Sequence, residues 1–211
     1  MTDTSNTKTC HKTNSGNIIT PEGVIFYAKY TIEAHENDQG KMVHGLQLCL
    51  SPETDLKLLK NEMGRIALEA LDGDENRAKE AVKDRLGDPN KKKQGGKPAG
   101  PEYEGWTLIS ASSQTQPDFV WPNGKKMTHQ EVMNSINSGD IIRATLNPYW
   151  RKVKKNPGIS LGLVNVQLVR KGKPIGFVKP QGEQEFGAID GAEDVSNSAT
   201  SSNEEVDALF D

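Results

Sequence analysis

Cysteine is nearly missing from this chain: Cys10 and Cys49 are the two in 211 residues. Two thiols make no disulfide framework, so reduced thiols in a cytosolic protein are expected. Hydrophobic residues make up 34% of the chain and mean hydropathy is -0.68, low for a chain packed throughout, so part of it is expected to be disordered. Apolar runs never exceed a few residues, which excludes a transmembrane helix. The opening MTDTSNTKTCHKTNSGN has no apolar core and does not read as a signal peptide. Catalytic signatures are missing as well. There is no GxxxxGK[ST] and no GxSxG. His11, His35, His44 and His129 form no recognisable pair, and Cys10-His11 has no second Cys/His pair at ligand spacing. We therefore expect no metal, no cofactor and no enzyme.

Lysine and arginine are missing altogether from residues 180–211, which hold nine acids: Glu183, Glu185, Asp190, Glu193, Asp194, Glu204, Glu205, Asp207 and Asp211. Residues 1–179 then carry 26 basic and 20 acidic groups, a net of +6, against -3 for the whole chain. A basic body with an acidic tail points to nucleic acid or to an interaction tail. Carboxylates are missing, in turn, from residues 143–173, RATLNPYWRKVKKNPGISLGLVNVQLVRKGK, which hold eight Lys or Arg. Tyr149 and Trp150 directly precede the cations Arg151, Lys152, Lys154 and Lys155. Both ends of the stretch alternate like strands, and Asn156-Pro157-Gly158 reads as a turn. A basic hairpin carrying aromatics suits single-stranded nucleic acid, where cations track phosphates and rings stack on bases. A solvated cationic sheet edge that guards against aggregation fits the same stretch. A nuclease would need carboxylates here to hold Mg²⁺.

Residues 1–20 are rich in Ser, Thr and Asn and are expected to be flexible. Residues 24–33 alternate, with Val24, Phe26, Ala28, Tyr30 and Ile32 on one face. Tyr27 and Lys29 share the other face, an aromatic beside a cation on a half-buried strand, or a ring that covers a barrel edge. A second strand over 42–50 places His44 near the core as a structural histidine. Ser51-Pro52 suits a helix start, with Leu56, Leu59, Met63, Ile66, Ala67 and Ala70 as its buried face. A charged helix follows over 75–86. Residues 88–105 form a loop in which Lys91, Lys92 and Lys93 are candidate phosphate contacts or simply solvated. A third strand covers 106–113, and Thr128 with Glu131 fits a capping box. Residues 141–146 make a fourth strand, with Ile142, Ala144 and Leu146 inward and Arg143 and Thr145 outward. Extending that parity past Pro148 puts Tyr149 with Arg143. A fifth strand over 159–170 switches its apolar face near Gly162, which suits a bulge. The fold class is mainly β (α+β): five strands interrupted by helices. This is compatible with a small closed barrel of the OB type and with other α+β sheets.

The phrases SASSQTQPDFV (110–120), SGDIIRATLNPYW (138–150) and GISLGLVNVQLVRKGKPIG (158–176) resemble a family of tailed-phage single-stranded-DNA-binding proteins with an OB fold, long labelled a domain of unknown function. The likeness covers roughly residues 20–178. It is most specific over 158–163, Val166-Gln167 and Arg170-Lys171-Gly172. It implies a five-stranded OB-fold DNA-binding domain over 21–179, between the flexible segment 1–20 and a disordered acidic tail over 180–211. It also implies coating of single-stranded DNA, without strong sequence preference, during phage replication, recombination and repair in the cytoplasm of the infected host. By that analogy Arg143, Tyr149, Trp150, Arg151 and Lys152 contact DNA. Tyr27, Lys29, Lys91, Lys92, Lys93, Lys154 and Lys155 complete the candidate set.

The last eight residues, EEVDALFD, resemble the acidic tips of bacterial and phage single-stranded-DNA-binding proteins, which recruit replication and recombination partners. Phe210 suits a small apolar pocket, with Leu209 beside it, while Glu204, Glu205, Asp207 and Asp211 suit surrounding cations. Such tips usually end in Phe itself, whereas Asp211 follows here. The same tail could also compete for the chain's own cationic groove. No membrane partner is expected, and the oligomeric state, a homo-oligomer included, stays open. The alternatives are an RNA-binding or strand-annealing protein and a structural phage protein that uses the barrel for assembly.

Overall fold

Most alternating stretches of the sequence become strands and the three-and-four stretches become helices in a computed structural model that describes residues 7–37, 39–91, 99–153 and 157–175. In chain order the elements are β1 (His11–Lys12), β2 (Ile18–Ile19), β3 (Gly23–Phe26), α1 (Ala28–Ile32), β4 (His35–Glu36), β5 (Met42–Leu50), α2 (Lys57–Ala70), α3 (Glu75–Arg85), β6 (Leu86–Gly87), β7 (Thr107–Ser113), β8 (Asp118–Val120), α4 (His129–Ser135), β9 (Ile141–Arg151) and β10 (Gly158–Arg170).

Five strands pair in a closed circuit. β3 pairs with β5 and β5 with β7, both antiparallel. β7 meets β10 in parallel at Ser112 and Gly162. β10 pairs antiparallel with β9 along the whole of β9, and β9 returns to β3. The register of β9 against β10 shifts between Leu163 and Asn165, so the expected bulge is present. Ile25, Leu46, Leu48, Ile109, Ile142, Leu146 and Val166 are buried, and one face of α2 joins them through Leu59, Met63 and Ala67. The outer face of β3, β5 and β7 carries a second layer, where Phe26 and Trp106 each meet the edge or face of Tyr103 in T-shaped contacts. Burial pushes the Cys10 thiol up to about 11 and the Cys49 thiol up to about 12, so both behave as apolar core atoms.

Local chemistry sets the helix boundaries. The Asp74 carboxylate accepts from the Arg77 amide at 3.1 Å and starts α3. Thr128 and Glu131 form the expected reciprocal capping box of α4, with bonds of 3.3 and 2.7 Å. The helix start expected at Ser51-Pro52 is displaced. Residues 51–54 form a turn closed by the Thr54 amide on the Ser51 carbonyl. α2 begins only at Lys57, whose amide the Asp55 carboxylate receives at 2.8 Å.

Two other expectations are corrected. The strand read over 24–33 ends at Phe26. Tyr27 takes a left-handed conformation (φ 51°, ψ 48°), and Ala28–Ile32 coil into α1. Ala28, Thr31 and Ile32 bury together at helical spacing, and the Thr31 hydroxyl donates to the Gly45 carbonyl at 2.8 Å. Tertiary contacts thus overrode an alternating pattern. His44 is the structural histidine expected, buried with Nδ1 3.1 Å from the Thr31 carbonyl. The second correction concerns the segment read as loose over 1–20. Residues 7–20 pack: Cys10, Ile18 and Thr20 are buried, β2 pairs with β9, and the Thr20 hydroxyl receives the Ala144 amide at 3.0 Å. Composition is a poor guide to a short segment that adds one strand to an existing edge.

Ile18 therefore behaves as core. Ile18→Ala is expected to cost about 2–4 kcal/mol in urea unfolding. A segment that did not pack would leave the midpoint unchanged.

Candidate nucleic-acid interface

The parity of β9 sorts its side chains into two sets. Ile142, Ala144, Leu146 and Pro148 are buried, and the residues between them are not. Tyr149 accordingly faces outward and is 44% exposed. Trp150 turns the other way: it is half-buried and packs on the core, beside Leu71 and Ala81 of the helical insertion.

Outward of this strand lies a groove of roughly 490 Å³. Its walls come from four parts of the chain. The turn before β5 supplies Asn37, Gln39 and Lys41. β7 supplies Ser110, Ser112 and Ser113. The hairpin of β9 and β10 supplies Tyr149, Arg151 and Ser160, and Arg85 enters from the end of α3. Among the described residues the lining holds three cations, Lys41, Arg85 and Arg151, and no carboxylate. Lys41 is set by its turn, in which the Asn37 side-chain oxygen accepts the Gln39 and Lys41 amides at 2.9 and 3.1 Å and Gly40 takes φ 72°. Arg85 is held by Nη1 donating to the Ile159 carbonyl at 3.2 Å. Burial and then the Arg151 charge hold the Arg85 guanidinium below its usual range, while Tyr149 acts in the opposite sense.

The expected site residues do not all come together. Tyr149 and Arg151 line the groove, Lys152 is exposed just past it, and Lys91 is exposed on its own turn. Arg143 is at the other end of β9, six residues and so roughly 20 Å from Tyr149 along the strand. There Arg143 Nε donates to the Thr20 carbonyl at 3.3 Å. Burial lowers its pKa, against the opposing pull of Glu22. Arg170 pairs with Glu22 and Lys171 with buried Asp140 at 2.7 Å, so these cations of the basic stretch brace the fold. Lys29 pairs with Glu33 at 3.7 Å along α1 and shares no strand face with Tyr27. Lys92, Lys93, Lys154 and Lys155 lie outside the described residues, as do Glu204, Glu205, Asp207, Leu209, Phe210 and Asp211.

Two groove residues escaped the sequence reading, and one exposed ring was misplaced by it. Lys41 and Arg85 carry no signal for this site in the local sequence, and only the fold brings them beside Tyr149. Tyr30, expected to face inward, is 50% exposed. It stands between Tyr27 and His35, with ring centroids 6.4 and 4.8 Å away. His35 pairs with Val43, a groove residue. The spacing of Tyr27 and Tyr30 by three was the available helical signal.

These placements separate the two aromatics of the hairpin. Stacking on a base is worth about 1–3 kcal/mol, so Tyr149→Ala should weaken oligo(dT) binding about 5-fold or more without moving the melting temperature. Trp150→Ala should lower the melting temperature first. Fluorescence titration beside thermal unfolding of both variants makes the check.

Among curated protein sequences none matches the chain significantly. Solved structures do. The single-stranded DNA-binding protein of bacteriophage Enc34, in complex with ssDNA, aligns with a TM-score of 0.65 at 19% identity, covering 80% of this chain and 94% of that one. The same phage protein, in a structure described without DNA, aligns at 0.64 and 18% identity, covering 90% and 94%. At such identity the likeness speaks for the fold. The sequence itself matches a family model described as "Enterobacter phage Enc34, ssDNA-binding protein" over residues 17–196, most of the chain, and the chain therefore belongs to the Enc34 ssDNA-binding protein family.

Proposed function

We propose that the chain binds single-stranded DNA in the groove bounded by Lys41, Arg85, Tyr149 and Arg151. The observation that carries this is the composition of the lining: three cations from three elements, an exposed tyrosine and, among the described residues, no carboxylate. A cationic lining attracts a phosphate backbone, and an exposed ring offers a base a stacking surface without regard to sequence. A duplex hides its bases, so this combination favours a single strand. The Enc34 relative, whose structure contains ssDNA, supports the same ligand.

The architecture fits that role. We read the closed circuit of β3, β5, β7, β10 and β9 as an OB barrel over 21–179. In that fold the second and third strands and the loops after strands one and four bind oligonucleotides. The groove meets β5, β7, the turn before β5 and the end of β9, which supports this reading. The proposed activity is coating without catalysis, serving phage replication, recombination and repair in the host cytoplasm. The acidic segment 180–211 is proposed to be a disordered tail. Its last residues Glu204, Glu205, Asp207, Leu209, Phe210 and Asp211 would recruit replication or recombination proteins, and its charge would compete with DNA for the groove.

Equilibrium binding to single-stranded DNA, duplex DNA and RNA of equal length tests the ligand. Single-stranded DNA should bind tightest, with affinity falling by a log–log salt slope of about -2 or steeper for three groove cations at about 0.7 each. A preference for RNA would favour the RNA-binding alternative. No binding at low salt would favour a role in assembly.

The tail has its own test. A tethered segment acts at up to about millimolar effective concentration, so truncation after Asn203 should tighten DNA binding, most at low salt, and abolish partner capture. Phe210→Ala keeps every charge and should weaken only the partner contact. Unchanged DNA affinity after truncation, at every salt concentration, would remove self-competition.

A further inference from the structure

The face of β5 that looks onto the groove has no side chain at Gly45. Val43, two residues earlier and so on the same face, lines the groove. Gly45 pairs with Ser112 of β7, another groove residue, and Ser112 pairs in turn with Gly162 of β10. Two glycines and a serine therefore make a low floor across three strands. Each glycine has a ring against it. A Cβ at Gly45 would stand 2.9 Å from His35 Cε1, and one at Gly162 would stand 3.8 Å from Tyr149 Cε1. The first distance is too short for a real side chain, so His35 fills the space that one would take. Both glycines lie beside Ser112, so the places where the two rings rest are two strand spacings apart, roughly 10 Å.

His35 is held at this position from more than one direction. Its backbone pairs with Val43, and its ring packs on Tyr30 with centroids 4.8 Å apart. The helix that carries Tyr30 is pinned to the same point of β5, because the Thr31 hydroxyl donates to the Gly45 carbonyl at 2.8 Å. Rings that served only to close a loop would bury one another. Here His35 is only half-buried, and Tyr27 and Tyr30 each keep about half of their surface in solvent. Tyr27 also holds a left-handed backbone (φ 51°), which a non-glycine residue adopts at a cost and which is found most at ligand sites. His35 Nδ1 is buried without a hydrogen-bond partner, so a hydrogen bond at that atom does not account for the histidine. What remains is a braced, flat ring.

We propose that His35, backed by Tyr30, is a second base-stacking wall, across the floor of Gly45, Ser112 and Gly162 from Tyr149, and that the bound single strand lies between the two. The floor carries nothing larger than a hydroxyl, so bases can approach the sheet closely. A ring at each edge then engages different bases of one strand, again without reading sequence. Paired bases of a duplex present no free face to either ring. The proposal rests on the groove being a DNA site and adds to it a wall from the connection between β3 and β5.

The test compares wild type, His35→Ala, His35→Phe and Tyr149→Ala in equilibrium binding to oligo(dT) over a salt series, with thermal unfolding of each. Loss of one stacked base should weaken binding of His35→Ala about 5-fold or more. The log–log salt slope should stay at the wild-type value, because a stacking contact displaces no counterion. His35→Phe keeps a flat ring and should keep most of the affinity. A single abasic site is then moved along an oligo(dT) just long enough for full affinity. It should weaken wild type at separate positions, with His35→Ala indifferent at one and Tyr149→Ala at another. Equal affinity of wild type and His35→Ala overturns the second wall and leaves the DNA groove standing. So does a shallower salt slope in His35→Ala, which would make the residue a cation contact. A loss of affinity that tracks a lowered melting temperature, with the abasic pattern of wild type, overturns it as well. Failure of wild type to bind oligo(dT) at low salt overturns the DNA reading itself, and the second wall with it.

Discussion

The pairing of β9 with β10 is the constraint on which the rest depends. It runs from Arg151 and Gly158 at the turn to Ile141 and Arg170 at the far end. Both strands also close the circuit, β9 onto β3 and β10 onto β7. Side-chain parity along a strand is rigid, because a slip of one residue exchanges the two faces. The residues that fill the core, Ile142, Ala144 and Leu146, therefore dictate that Tyr149 faces out and Trp150 faces in. The bulge after Leu163 lets β10 keep apolar residues inward on both sides of the irregularity. Site and core are two sides of one register.

Ionic contacts divide the basic stretch by position. At its far end Arg170 and Lys171 meet Glu22 and Asp140, and Arg143 meets the Thr20 carbonyl. Near the turn, Arg151 lines a groove that has no carboxylate among its described residues. A run that looks uniform in sequence thus splits into a half that braces the fold and a half that faces the groove. The partners making that split come from residues 20–22 and 140, far away in the chain.

What was legible in the sequence follows the range of the physics. Capping at Thr128, the strand at 107–113, the helix at 75–85, the parity of β9 and the bulge in β10 all rest on neighbours within a few residues, and each is found. The break at Tyr27 was not legible. Residues 24–33 satisfy a strand pattern, and the choice of helix for Ala28–Ile32 is made by Gly45 and Ser138, which receive Thr31 Oγ1 and the Ala28 amide. Arg85 was hidden for the same reason, since Ile159 stands 74 residues away. The aromatic-plus-cation signal at 149–151 located one wall of the groove. The other walls are Lys41 and Arg85, which have no local signature.

Pro148 has a consequence for how rigidly Tyr149 is presented. Its ring fixes one backbone torsion directly before the tyrosine, and it is buried in register with Leu161. On the other side Trp150 is wedged on the core. The exposed ring is thus carried by a stiff stretch of strand rather than by a loop that must be ordered on contact. Little backbone entropy remains to be lost when a flat partner settles on it. The thermodynamic signature of such a contact is a cost that folding has already met.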